Sequence, residues 1–236
     1  MSERLNELDQ PIGFAVPDWK PVEKPSHTSL EGRLVRLVAP DVKAHAADLF
    51  AAFAMDESHH NWTYLPYGPF ANLAEFSAWM EKTCLGQDPL FYVIWDKQTQ
   101  KPIGLASYLR IDPTAGVIEV GHIHFSPALQ RTAHATETMF LMMARVFDEL
   151  GYRRYEWKCD ALNAPSRKAA ARLGFQFEGI FRQATIYKGR NRDTAWFSII
   201  DQEWPGLRKA FETYLADDNF TPAGLQIRSL QDIRQN

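Results

Sequence analysis

Several things are scarce in this chain, and each scarcity removes a class of explanation. Only Cys84 and Cys159 carry thiols among 236 residues, too few for a disulfide framework, so a reducing, cytoplasmic setting is expected. No stretch approaches the roughly 18 consecutive apolar residues that a membrane span needs. The first seven residues, Met1-Ser2-Glu3-Arg4-Leu5-Asn6-Glu7, are charged and lack an apolar centre, which argues against a secretory signal. Net charge is only −3, so neither nucleic acid nor an anionic lipid surface is implied as a partner. Internal repeats and low-complexity runs are absent. What remains is a chain that is 45% apolar and 13% aromatic, enough for one large domain with appendages.

Residues 1–27 hold Pro11, Pro17, Pro21 and Pro25 and read as an extended arm. Arg33–Leu37 alternates like a first strand. Asp41 caps an expected helix to about Phe53, with Ala47, Leu49, Phe50 and Phe53 on its buried side. The loop Asn61–Phe70 is aromatic and twice broken by proline. Asn72 caps a second helix to about Cys84, burying Phe76, Trp79 and Met80. Strands Phe91–Trp95, Ile103–Leu109 and Val117–Phe125 suggest an antiparallel meander, with a turn at Asp112–Gly116. Thr132–Leu150 is the longest helical pattern, its Met139, Met142, Met143, Val146, Phe147 and Leu150 recurring at three and four as core filler. Tyr155–Cys159 is a strand. Strands Phe175–Phe181 and Thr194–Ile200 frame the basic turn Lys188–Asp193, which is either solvated or a contact for an acidic acceptor or a phosphate. A helix from Trp204 to about Leu215 and a polar tail with one short helix complete the chain. A strand–helix–strand passage between two meanders predicts an α+β fold with a mixed central sheet flanked by helices.

The most specific segment is Leu162-Asn163-Ala164-Pro165-Ser166-Arg167-Lys168-Ala169-Ala170-Ala171-Arg172-Leu173-Gly174-Phe175. Asn163 suits the cap, Pro165 the first turn, the alanines the helix body and Gly174 a left-handed stop. A second segment, Gln130-Arg131-Thr132-Ala133-His134-Ala135-Thr136-Glu137, joins a strand to the long helix. Its small residues allow close backbone approach, and free N–H groups at a helix start attract an anion.

Together these segments resemble the GNAT superfamily of N-acetyltransferases, over roughly residues 28–203, with 204–236 as a C-terminal helix and tail. They are most similar to its ribosomal-protein N-terminal acetyltransferase (RimJ/RimL-like) branch. The resemblance implies the GNAT (acyl-CoA N-acyltransferase) fold and acetyl-CoA as co-substrate. The pyrophosphate would lie on Arg131, Thr132, Ala133, His134, Ala135 and Thr136 after Gln130. The pantetheine would follow Ile123, His124 and Phe125, with Asn163 and Ser166 also at the coenzyme. Ala133 stands where the family pattern has its first glycine, and alanine can donate its N–H but resists positive φ, so if the turn needs that geometry, pyrophosphate binding is weakened or the loop is reshaped. The strand Glu119–Phe125 resembles the family's splayed strand, and the segment between Glu119 and Ala135 is about one residue longer than in common relatives, which fits a bulge.

The tyrosine that many relatives place seven residues after the motif asparagine is Ala170 in this chain. In the RimJ/RimL-like branch the serine takes that acid's place, which makes Ser166 the candidate. A helix-start hydroxyl that caps or binds coenzyme is the other reading. That branch can also draw a base from the strand after Gly-Phe, but Gln183–Tyr187 has no carboxylate, leaving Glu119 acting through water as the candidate base. Trp62, Tyr64 and Tyr187 are candidates to wall an acceptor pocket, or else to close the core edge. His122 and His124 share a strand face; packed histidines are expected over a metal pair, which lacks matching ligand spacing, and a general-base role for one of them stays open. The acceptor is expected to be a primary amine of a small molecule or of a peptide or protein N-terminus, attacking directly. A longer acyl-CoA, a non-catalytic coenzyme sensor and a homodimer are open alternatives.

Overall fold

Capping chemistry sets where the helices begin. In the computed structural model, which describes residues 4–235, Asp41 accepts from the Ala44 N–H to open α1 (Val42–Ala54). Asn72 does the same for α2 (Leu73–Thr83) through Glu75. The remaining helices are α3 (Ala133–Ala144), α4 (Ala164–Leu173), α5 (Trp204–Leu215) and α6 (Leu230–Gln235). The strands are β1 (Arg4–Leu5), β2 (Pro11–Ile12), β3 (Leu30–Glu31), β4 (Val35–Val38), β5 (Leu90–Asp96), β6 (Lys101–Asp112), β7 (Val117–Phe125), β8 (Arg154–Asp160), β9 (Gln176–Tyr187) and β10 (Arg190–Ile200). Among the described residues, no helix is long and apolar enough to cross a membrane.

Eight strands form one sheet in the order β3-β4-β5-β6-β7-β8-β10-β9. Every neighbouring pair is antiparallel except β7 and β8, which run parallel. This is the α+β architecture with a mixed central sheet that the sequence leads one to expect. One face packs Tyr92, Tyr108, Val120, Tyr155, Trp157 and Phe197 against Met139, Met142 and Met143 of α3 and against α4 and α5. The opposite face, over β5 and β6, packs Phe91, Val93 and Leu105 against Leu49 and Phe53 of α1 and Phe76 and Met80 of α2.

Several expectations need correction in detail. The inward residue of α1 is Ala46 while Ala47 is exposed, with Phe50 half-buried. The long third helix ends in a π turn over Arg145–Glu149. The late hairpin strands are longer than the hydrophobic pattern suggested. They reach a two-residue turn at Lys188 and Gly189, both at positive φ (+48° and +69°), the geometry whose twist suits a tight hairpin. Residues 185–187 pair with 190–192 through the backbone, beyond a register shift at 182–184 and 193, so their polar side chains carried no alternation signal.

The N-terminal segment runs along the domain and is tied to it mainly through its own backbone. Tyr92 donates its hydroxyl to the carbonyls of Ser26 and Thr28, and Tyr152 to that of Glu23. The Val22 N–H reaches the Pro113 carbonyl. Trp19 lies over Gly116 and donates its indole N–H to the Thr114 carbonyl at 2.8 Å.

Candidate active site

The site begins where a parallel pair stops pairing. β7 and β8 are in register from Val117↔Arg154 to Val120↔Trp157, and no further. Beyond that point Gly121–Phe125 stay with β6, while Lys158–Asp160 stay with β10. A cleft therefore opens between the two strands, lined on the β7 side by an edge without a strand partner. The divergence coincides with a bulge. Between Leu105↔His124 and Ser107↔Gly121, two residues of β7, His122 and Ile123, stand against one of β6, Ala106, and His122 takes φ +49°. The extra residue expected from the sequence lies there, and the added twist of a bulge turns the strand away from its neighbour.

The start of α3 faces this opening along the chain. Thr132 is its cap: the hydroxyl donates to the Leu129 carbonyl at 2.6 Å and accepts from the Ala135 N–H at 3.2 Å. The positive φ falls on Arg131 (+60°), outside the helix. Ala133 is the first helical residue, so alanine in place of glycine meets no steric demand. Among the described residues, the N–H groups of Arg131, Thr132, Ala133 and His134 have no protein acceptor. They form an anion-ready helix N-terminus. Gln130 is occupied otherwise, its side-chain amide bridging Asn61 and the Phe125 carbonyl at 2.9 Å each. His134 Nε2 lies 3.5 Å from the Asp96 carboxylate. Thr136 is buried and accepts from Arg172.

Glu137, also in α3, is an anchor the sequence did not single out. Its carboxylate, 4% exposed, accepts the N–H groups of Arg33, Leu34 and Val35 at 2.9, 2.7 and 2.8 Å. It pins α3 to the start of β4.

Across the cleft, Asn163 caps α4 by accepting the Ser166 N–H at 3.1 Å. Ser166 Oγ in turn accepts the indole N–H of Trp157 at 2.9 Å. Ala170 is fully buried in the core. Glu119, 3% exposed, has Arg110 2.7 Å from Oε1 and Lys158 2.9 Å from Oε2. Burial pushes its carboxyl up from the ordinary value, and the two cations pull back less than burial adds. Lys158 also meets Glu156 at 2.7 Å and lies 3.7 Å over the Trp196 ring. Arg154 continues the ladder from Glu156 to Glu178.

The aromatic candidates divide by role. The Trp62 ring lies inside the core, against Phe53, Phe70 and His124. Tyr64 donates its hydroxyl to the Leu162 carbonyl, and Tyr187 donates to Asp160 at 2.9 Å. Burial, with Asp160 adding to it, pushes the Tyr187 phenol up to about 12. The basic turn is neither simply solvated nor free. Lys188 donates to the Trp62 carbonyl and Arg190 to that of Thr63, each at 2.8 Å. Loop 62–64 is thus tied to both the β8–α4 loop and the late hairpin.

The histidines are packed among rings. His124 stacks on Phe53 at 3.7 Å, and His122 lies beside Tyr67 and Phe91. Burial pushes His122 down to about 4 and His124 to about 3. Among the described residues, no group of three or more histidines, cysteines or carboxylates could hold a metal ion.

A parallel pair that parts, together with a helix start whose N–H groups lack protein acceptors, is the arrangement that the resemblance to N-acetyltransferases leads one to expect. Comparison with known proteins agrees. Residues 35–176 match the acetyltransferase (GNAT) domain family. A GCN5-related N-acetyltransferase from Brucella melitensis superposes with a TM-score of 0.92 at 48% identity, covering 94% of this chain and 100% of that one. A probable acetyltransferase of the GNAT family from Chromobacterium violaceum gives 0.76 at 43% identity, covering 83% and 98%. The uncharacterized N-acetyltransferase p20 of Bacillus licheniformis is 31% identical over 125 residues, 51% of this chain and 67% of that protein. The chain belongs to the GNAT family of N-acetyltransferases, enzymes that use acetyl-CoA.

Proposed function

We propose that this enzyme moves the acetyl group of acetyl-CoA to a primary amine of a small molecule or of a peptide or protein N-terminus, by direct attack and within the RimJ/RimL-like branch. The observation that carries this reading is the pairing of unpaired N–H groups at the start of α3 with the gap between β7 and β8. In it, the diphosphate rests on the amides of residues 131–134, where backbone dipoles favour an anion, while those of Ala135 and Thr136 are taken by Thr132. The pantetheine runs along the free edge of Ile123, His124 and Phe125, using backbone groups, since the His124 ring is committed to Phe53. Asn163 fixes the first turn of α4 and with it Ser166.

Acetyl transfer needs a neutral amine, a stabilised oxyanion and a protonated leaving thiolate. Ser166 supplies the last, Ala170 having no proton to give. Glu119, a carboxylate with a raised pKa beside the point where the strands part, accepts the amine proton through water. Tyr64, Tyr187 and Trp62 frame the acceptor, the first two by their tied hydroxyls and the third by holding loop 62–64 from within.

The test is release of coenzyme A thiol from acetyl-CoA against a panel of small amines and peptides with free N-termini, alongside calorimetric binding of acetyl-CoA. Saturable turnover with at least one class is expected. Ser166→Ala and Glu119→Gln should lose rate while keeping coenzyme affinity. Absence of both binding and turnover refutes the proposal.

A further inference from the structure

An indole N–H can donate but never accept. Trp157 places that donor 2.9 Å from Ser166 Oγ, so one lone pair of the serine oxygen is engaged and its own proton is free to point elsewhere. The donor is firmly held. Trp157 is the last residue of β8 paired with β7, is 5% exposed, and packs edge-on to Phe175 at 5.5 Å. The hydrogen bond therefore runs from the apex of the cleft to the first turn of α4, where Asn163 already holds the Ser166 amide. Beside Ser166 lies the buried thiol of Cys159, which burial pushes up and the serine hydroxyl draws partly back.

We infer that Trp157 is a positioning residue for the acid of this reaction, orienting the Ser166 proton and stabilising the charge left on its oxygen. The inference rests on the reading of Ser166 as that acid. The amine nitrogen forms its bond to the acetyl carbon, and the carbon–sulfur bond breaks with its electrons going to sulfur. The Ser166 O–H gives its proton to that sulfur. The serine oxygen, now bearing charge, is held by the Trp157 N–H until water returns a proton. The surplus proton on nitrogen leaves through Glu119 and solvent. Amine and thioester become amide and thiol, in balance. A fixed donor aimed at an atom whose charge grows during reaction favours the transition state over the ground state.

The test compares Trp157→Phe, Ser166→Ala and the double variant. Acetyl-CoA is the donor and hydroxylamine the nucleophile, a small amine that is neutral at pH 7 and needs no acceptor pocket; coenzyme A release is the readout. Because phenylalanine loses volume as well as the N–H, a second form carries benzothienylalanine at 157, the sulfur isostere of tryptophan. Loss of the donor should lower kcat by about 10- to 100-fold, toward the range seen when one oxyanion donor is removed. KM for acetyl-CoA should stay within about twofold, as befits an interaction strengthened only in the transition state. The double variant should be no slower than Ser166→Ala alone, since Trp157 acts only through the serine. A further loss in the double variant, or an isostere as fast as the wild type while Ser166→Ala is slow, overturns the inference and leaves the acid assignment standing. A Ser166→Ala enzyme at full rate removes the acid assignment and the inference together. No coenzyme A release by the wild type counts against acyl transfer itself.

Discussion

Replacing Glu137 should weaken the fold and the coenzyme site in a defined order. Its carboxylate is buried and accepts three backbone N–H groups at the turn into β4. In Glu137→Ala all three donors lose their partner. Arg33 is exposed and water can replace the carboxylate there, but Val35 is fully buried and Leu34 half-buried. An unsatisfied buried donor costs about 1–3 kcal/mol, so two of them place the loss near 4 kcal/mol. For a chain of this size each kcal/mol moves the melting temperature by about 2–4 °C, which gives a drop of roughly 8–16 °C. Glu137→Gln should fall between wild type and alanine. Its oxygen can keep Leu34 and Val35, both now on Oε2, while its amide faces the solvent-served Arg33. Loss of charge assistance then costs about 1–2 kcal/mol. Thermal unfolding with and without acetyl-CoA measures both variants. The alanine form should also need more acetyl-CoA for half-saturation, since the helix start is no longer fixed to the sheet. A drop under about 3 °C for alanine, or glutamine as damaging as alanine, would refute the reasoning.

Lys158→Met should destabilise by about 3–5 kcal/mol in urea unfolding, because it leaves Glu119 and Glu156 buried side by side without their shared cation. His122 and His124 have folded pKa values of about 4 and about 3, below the ordinary 6.5. The unfolded chain therefore binds protons that the folded one refuses. Their contribution to stability is complete above about pH 6.5 and declines as the pH falls toward 4, by up to about 1.4 kcal/mol per pH unit for each ring. His124→Phe, measured by urea midpoint across that range, should lose less stability on acidification than wild type; an unchanged slope contradicts this.

Much of the architecture was legible because local signals agreed. Asp41, Asn72 and Asn163 all cap the helices expected of them, and the methionine spacing of α3 marks its buried face. One surplus residue between Glu119 and Ala135 fitted a bulge, which the structure places at His122. What stayed hidden depends on long-range geometry. Nothing local tells that Glu137 reaches Arg33–Val35, about a hundred positions away, or that Lys188 and Arg190 give their donors to carbonyls of loop 62–64. The link from Trp157 to Ser166 spans only nine positions, yet it exists because a strand turns into a helix across the cleft. The strain feared at Ala133 vanished because the positive φ sits two residues earlier. A pattern fixes which residue types recur, but not which peptide bears the turn.

The N-terminal strap has an evolutionary corollary. Tyr92 and Tyr152 grip main-chain oxygens of Glu23, Ser26 and Thr28 and ignore what those residues carry. Apart from Trp19, which holds on through its own indole, and the buried Pro25, such a belt can drift in composition as long as its path holds, whereas the two phenols that fasten it cannot. Mutational tolerance should therefore be high along the belt and low at its buckles, an inversion of the usual expectation that a peripheral segment matters less than its sequence.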